Sequence, residues 1–257
     1  FTSESVSEGH PDKVADQISD NLLDNFLAFD PDSKVACETL VTTGQVVLAG
    51  EVKTKTYIDV SRIARETINK IGYTKGEYKF EGDSCGVISL IHEQSQDINQ
   101  GVEREEKEEQ GAGDQGIMFG FASSETADYM PAAITYSHML ADKVYSYALK
   151  HPHKLGVDIK TQVTIDYGNK ENFENCKPQK IHTIVVSAPS VEGMDIKEVR
   201  TLIQGLIDDT GLPTELYDPK HTIIHINPTG RYVNHSSLHD SGLTGRKLIV
   251  DSFGGYA

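Results

Sequence analysis

Five consecutive residues, Gly9-His10-Pro11-Asp12-Lys13, set an imidazole, a carboxylate and an ammonium at the head of an apolar-periodic run. Val14, Ile18, Leu22 and Phe26 fall four apart, and Leu23 and Leu27 widen the stripe, so the run is a helix. Ordinary helix-start chemistry accounts for part of the pattern. Pro11 at the first helical position presets φ, Asp12 in the first turn suits the dipole, Lys13 is then solvated and His10 incidental. The same residues also make an anion site. Free N–H groups at a helix N-terminus attract phosphate, His10 and Lys13 add positive charge, and Asp12 is a carboxylate for a metal that bridges to phosphate oxygens. These five residues alone do not choose between the two.

Four other constellations bear on the choice. "HEQSQDINQG" places Gln94, Asp97, Asn99 and Gln100 just after an expected strand, and "GVDIKTQV" places Asp158 and Lys160 just before one. "INPTGRYV" ends a strand with Pro228 and Gly230, then offers Arg231 and Tyr232. "HDSGLTGRKLIVD" gives Asp240, a Gly-flanked turn and the pair Arg246-Lys247. Each alone is a loop or a solvated basic pair. Together they put groups able to handle phosphate, amine or purine at strand ends, where sites are commonly built. Arg is a bidentate phosphate clamp, Lys a point charge, and Tyr232 a face for a base. "GAGDQG", Gly111 to Gly116, has dinucleotide-binding glycine spacing but follows Glu and Lys instead of a buried strand, and Asp114 would oppose a pyrophosphate. A nicotinamide enzyme is rejected on those grounds.

The elements that must position these groups are legible. "VACETLVTTGQVVLAGEV" reads as a hairpin about "TTGQ". A helix over "YIDVSRIARETINKIGY" buries Val60, Ile63, Ala64, Thr67, Ile68 and Ile71 and stops at Gly72, and "SCGVISLI" is a strand. A third helix runs from about Tyr129 to Lys150, with Pro131 in its opening turn. "TQVTIDYGN" and "KIHTIVVSAPS" are strands, followed by the helix "MDIKEVRTLIQGLIDD" and the strand "HTIIHINP". The order strand, strand, helix, strand thus occurs twice, with Asp59-Val60-Ile63 matching Asp195-Ile196-Val199. Sheets covered on one face by helices make an α+β body.

With 257 residues, 37% hydrophobic and 25% charged, the composition is that of a globular protein with no bilayer-spanning run and no signal peptide at its start. A net charge of −15 argues against nucleic acid as a partner, yet a few local cations and Mg2+ can still hold a nucleotide. Cys37, Cys85 and Cys176 fit neither a disulfide framework nor a zinc site, so the expected home is the cytoplasm. The charge run Glu103–Glu109 is expected to be a surface loop, or a lid over a site. The start at Phe1 and the stop after the strand-like "RKLIVDSFGGYA" lead one to expect further chain.

"GHPDK", "ACET", "GAGDQGIMFG", "DIKTQV", "INPTGRYV" and "GLTGRKLIVD" occur in this order over the whole chain, which closely resembles the S-adenosylmethionine synthetase (methionine adenosyltransferase) family. The resemblance implies a transferase that joins ATP and L-methionine. Sulfur attacks ribose C5′, triphosphate leaves, and it is hydrolysed to pyrophosphate and phosphate. It implies Mg2+, two per site, and K+. By motif match, His10, Lys160, Arg246 and Lys247 are catalytic. Asp158, Arg231, Tyr232 and Asp240 join them in binding ATP, and Glu51, Gln94, Asp114 and Asp240 contact methionine. Asp12 ligates Mg2+ and Glu38 ligates K+. Glu103–Glu109 falls at the family's gating loop. The implied fold is a pseudo-threefold repeat of α+β units, divided as 1–100, a linker at 101–128, a central unit at 129–233 and the start of an incomplete third unit at 234–257. Two subunits pair sheet to sheet with sites between them, as a homodimer or a dimer of dimers.

This chain departs from the family's pattern at its end, where the family continues past Ala257 with a Gly-rich segment carrying further lysines and a metal-binding Asp, and in three places within. Gln96 stands where proline is expected, Tyr232 where many members have phenylalanine, and Arg-Pro is missing before Asp158. Two rivals stand beside this identification. One is a truncated, non-catalytic relative acting as a regulatory or partner subunit; the other is a generic Mg-dependent nucleotide hydrolase.

Overall fold

The computed structural model describes residues 1–94, 109, 111, 115–168, 177–233 and 240–257. Asp114, Gln96, Asp97, Asn99, Gln100, Cys176 and the expected gating loop up to 108 lie outside the described residues.

Two hairpins, each followed by a crossover helix and a parallel strand, build two four-stranded sheets. In the first, β2 (Lys34–Thr42) and β3 (Gln45–Lys53) pair antiparallel; α2 (Val60–Ile71) then leads to β4 (Gly86–Glu93), parallel to β3. In the second, β5 (Lys160–Asp166) and β6 (Lys180–Ser187) pair antiparallel; α4 (Ile196–Asp208) leads to β7 (Ile223–Ile226), parallel to β6. The repeat read from the sequence is therefore present as two copies of one topology. Both crossover helices are capped by the matched aspartates: Asp59 accepts the Arg62 N–H at 2.9 Å and Asp195 the Lys197 N–H at 2.8 Å. The same faces are buried, by Ile63, Ala64, Ile68 and Ile71 in α2 and by Val199, Ile203 and Ile207 in α4.

Each sheet takes its fourth strand from far away in the chain. β1 (Thr2–Val6) lies antiparallel on β5, and β8 (Gly242–Leu243) antiparallel on β2, giving the orders β1-β5-β6-β7 and β4-β3-β2-β8. The two ends of the chain thus stitch the halves together. α1 (Pro11–Phe29) packs on β2, β8 and α2; α3 (Ala132–Lys150) packs on β1 and β5. Ile18, Leu22, Leu48, Ile68, Leu140, Val163 and Ile184 are all buried in one continuous core.

Two boundaries differ from expectation. α1 begins at Pro11 as expected, but α3 begins at Ala132, with Pro131 as its N-cap, instead of near Tyr129. The segment expected as strand-like, "RKLIVD", forms no strand: pairing ends before it, at Gly242–Leu243, and Leu248–Asp251 make one helical turn, α5. The reason is competition from α1. The Leu243 and Gly245 N–H groups are taken by side chains of α1, and the Asp251 N–H closes onto the Lys247 carbonyl at 2.9 Å, so no ladder can continue. No described helix is long and apolar enough to cross a membrane.

The uncovered faces of the two sheets differ in character. On the first, Glu38 opposes Ala49, Ala36 opposes Glu51, and Ile88 and Leu90 (48% and 51% exposed) lie beside Val47 and Ala49, so the face is largely apolar. On the second, Glu4 and Val185 flank Gln162, and Val6 and Ser187 flank Lys160, so the face is largely polar.

Candidate active site

The site is built from the N-terminus of α1. His10 is the N-cap, with extended backbone (φ −65°, ψ 138°), and its Nδ1 accepts the Asp12 N–H at 3.1 Å. That bond leaves the ring proton on Nε2. Burial, then Lys247 and Lys160, push the imidazole pKa down to about 3 against the opposing Asp12, so it is neutral near pH 7. Its Nδ1 lies 3.9 Å from Asp12 Oδ2, but a neutral ring makes no ion pair there.

The first two turns of α1 then grip residues 242–251. Asp12 Oδ1 accepts the Leu243 N–H at 3.0 Å, Asp16 Oδ1 accepts the Gly245 N–H at 2.8 Å, and Ser19 shares a hydroxyl bond with Thr244 at 3.0 Å. Gly242 passes so close that a Cβ would lie 2.1 Å from the Pro11 carbonyl, so only glycine fits. This grip delivers Arg246 and Lys247 to the helix start. Lys247 Nζ donates to Asp12 Oδ2, and Arg246 Nε lies 3.9 Å from Asp12 Oδ1. Burial pushes the Asp12 carboxyl up, but the bonds from Lys247 and Leu243 outweigh it and hold the group below the usual carboxylate range.

Across from this helix start lies the polar face of the second sheet. A cleft of about 370 Å3 runs between them, lined by His10, Asp12, Lys160, Asp240, Arg246 and Lys247 together with Glu4, Ser5 and Gln162. Six residues expected to share a site, from three separate motifs, are therefore in one cleft. Its fixed charges balance: Lys160, Arg246 and Lys247 face Glu4, Asp12 and Asp240. A polyphosphate would leave such a cleft strongly negative unless it brought cations with it.

Asp158 and Tyr232 sit behind Lys160. Asp158 is 2% exposed; its Oδ2 accepts the Tyr232 hydroxyl at 2.8 Å, and its Oδ1 has no hydrogen-bond partner among the described residues. Burial raises its pKa to about 6, with Lys160 and Tyr232 opposing and Asp240 adding to the rise. Tyr232 is held in turn by the Ser190 N–H on its carbonyl at 2.9 Å. Arg231 beside it is exposed.

Three expected residues lie elsewhere. Glu38 and Glu51 stand on the apolar open face of the first sheet, and Gln94 follows β4 with its Oε1 buried and unpartnered among the described residues. None of the three lines the cleft. Sequence reasoning missed Glu4, Ser5 and Gln162. Gln162 had a signal: two residues from Lys160 in an alternating strand, it must share Lys160's face. Glu4 and Ser5 had none, because nothing local announces that β1 pairs with β5.

Comparison with known proteins agrees with this architecture. The family profile for the S-adenosylmethionine synthetase N-terminal domain matches residues 1–96, and that for the central domain matches residues 109–232. The S-adenosylmethionine synthase of Christiangramia forsetii is 57% identical over 267 aligned residues, covering 99% of this chain and 62% of the relative. That of Cytophaga hutchinsonii is 55% identical over 99% of this chain and 62% of its own length. The solved structure of an unusual S-adenosylmethionine synthetase from Campylobacter jejuni superposes with a TM-score of 0.90 at 56% identity, over 100% of this chain and 65% of that one. The chain thus spans somewhat over three fifths of the length of these relatives. Two domain profiles in sequence order, on a fold shared at high identity, establish that the chain belongs to the S-adenosylmethionine synthetase family.

Proposed function

We propose that this protein makes S-adenosylmethionine from ATP and L-methionine. The observation that carries the proposal is the gathering of His10, Asp12, Lys160, Asp240, Arg246 and Lys247 into one cleft at a helix N-terminus. The reaction forms a bond from the methionine sulfur to ribose C5′ and breaks the C5′–O bond to the triphosphate. A thioether has no proton to lose, so no base is required; the difficulty is the charge on the leaving group. The neutral His10 donates from Nε2 to a phosphate oxygen, and Lys160, Arg246 and Lys247 supply fixed positive charge where the leaving charge develops. Hydrolysis of the triphosphate to pyrophosphate and phosphate follows on the same groups. Asp158 and Tyr232, with Arg231, receive the nucleoside end, and Asp240 serves both substrates.

Asp12 fits a Mg2+ site. It is deprotonated, it lines the cleft, and each of its oxygens keeps a lone pair beyond the bond it already accepts. Mg2+ typically takes one or two carboxylates plus substrate phosphates, and no cluster of three or more ligating side chains is found among the described residues, so nucleotide oxygens would complete the shell. A bound Mg2+ would neutralise charge on the departing triphosphate. A second Mg2+, and K+ at Glu38, rest on the family likeness.

Glu38, Glu51 and Gln94 join the proposal through a second subunit. The apolar open face of the first sheet is the surface on which two copies would pair, bringing the methionine contacts Glu51, Gln94 and Asp114 toward a cleft. The unit boundaries 1–100, 129–233 and 234–257, the gating role of Glu103–Glu109, assembly as a dimer or dimer of dimers, and a cytoplasmic location belong to the same proposal. A regulatory subunit would have no use for the six assembled cleft residues, which disfavours that rival.

The test is mass-spectrometric detection of S-adenosylmethionine from the intact protein with ATP, methionine, Mg2+ and K+. Product formation with methionine-dependent consumption of ATP is expected. Phosphate release without methionine would favour the hydrolase, and nucleotide binding without turnover the non-catalytic relative.

A further inference from the structure

Lys13, the last residue of the opening motif, is not among the cleft-lining residues. Its Nζ lies 2.8 Å from Asp251 Oδ1 and 3.2 Å from Asp16 Oδ2. The carboxylate of Asp16 and the backbone of Asp251 flank the Arg246-Lys247 pair on its two sides. Asp16 Oδ1 accepts the N–H of Gly245, directly before Arg246. Asp251 closes α5 by donating its N–H to the carbonyl of Lys247. One ammonium therefore spans the two ends of the segment that carries both cations. The Lys13–Asp251 and Asp16–Gly245 bonds run between residues more than 225 positions apart, so no local propensity accounts for them.

We infer that Lys13 and Asp251 are positioning residues for the phosphate clamp, fixing Arg246 and Lys247 against the start of α1 without touching substrate themselves. The inference rests on the proposed triphosphate site. Burial alone would push the Lys13 pKa down; the bond from Asp251 and the charge of Asp16 outweigh it and raise it, so the ammonium is held charged. The Lys13–Asp251 pair is partly solvated, with side chains 23% and 42% exposed, so it contributes little to global stability. A small displacement of a charge clamp, in contrast, weakens binding steeply.

The test uses Lys13→Met, Asp251→Asn and the double variant in the intact protein. Inorganic tripolyphosphate binding is measured by calorimetry, and the KM for ATP and for methionine by product assay. Each single variant is expected to weaken tripolyphosphate binding about tenfold, on the scale of geometric misplacement. The double variant should be no weaker than either single, the methionine KM and the melting temperature should hold, and Lys13→Arg should restore binding. Loss in Lys13→Met with Asp251→Asn normal would mean direct phosphate contact and overturn the positioning role. Unchanged binding in both singles, or a fall in melting temperature with both KM values worsening together, would overturn it as well. A wild type that binds no tripolyphosphate would overturn the proposed function, and this inference with it.

Discussion

Asp158→Asn should stabilise the protein at neutral pH while impairing it as an enzyme. The wild-type carboxyl is buried, has one partner on Oδ2 and none on Oδ1 among the described residues, and its pKa is raised to about 6 from the ordinary 3.8. For an acid whose folded pKa is raised, folding opposes ionisation. The native state retains a proton that the unfolded chain has released, so stability falls as pH rises from 3.8 through 6 and is flat above. The shift of about 2.2 (6 less 3.8) at 1.36 kcal/mol per unit gives a penalty of about 3 kcal/mol at pH 7.5 and about 1 kcal/mol at pH 4.5. Asparagine removes the charge and keeps the acceptor for Tyr232, but leaves an amide N–H unpaired where Oδ1 was, at roughly 1 kcal/mol or more. The expected net gain is about 2 kcal/mol at pH 7.5, or roughly 4–8 °C in melting temperature, shrinking to about zero at pH 4.5. The change of about 2 kcal/mol between the two pH values does not depend on how well the amide packs. Chemical denaturation of wild type and variant without nucleotide, at both pH values, measures it. A variant equally destabilised at both would show that the buried carboxylate carries no penalty, and the reasoning from its orphaned oxygen would be wrong. The same variant should bind ATP more weakly, as expected where stability has been surrendered for a site.

Other outcomes follow from the same geometry. His10→Asn keeps a strong N-cap, so stability should be unchanged or slightly higher, while loss of the Nε2–H donor should lower turnover about a hundredfold; equal turnover by product assay would remove His10 from leaving-group stabilisation. Leu90→Lys on the open face of the first sheet should leave the monomer folded and reduce self-association in sedimentation velocity; an unchanged dimer would place the interface elsewhere.

Local order was legible in the sequence because it is encoded locally. The 3.6-residue spacing of Val14, Ile18, Leu22 and Phe26, the aspartate caps at 59 and 195, and the turn between Thr42 and Gln45 each depend on neighbours within a few positions. The strand expected over "RKLIVD" failed for the complementary reason. The Leu243 and Gly245 N–H groups just before it are taken by Asp12 and Asp16, more than 225 residues upstream, and no pattern within the segment reports that competition.

The sequence by itself determined which residue types were present to handle phosphate, and that they stood at the ends of helices and strands. Residue chemistry and short-range periodicity suffice for that. Tertiary structure alone decided which of them act together. β1 joins the second sheet and β8 the first, and these two exchanges bring His10, Lys160 and Lys247 into one cleft. Folding also set their charge states. Burial beside three cations keeps His10 neutral, and burial, with Asp240 adding to it, raises Asp158. Desolvation and Coulomb interaction depend on distances that exist only once the chain has closed on itself. Lys13 shows the division most plainly: as a sequence element it was one more cation in a phosphate motif, and in the fold it links Asp16 and Asp251, which flank the clamp segment.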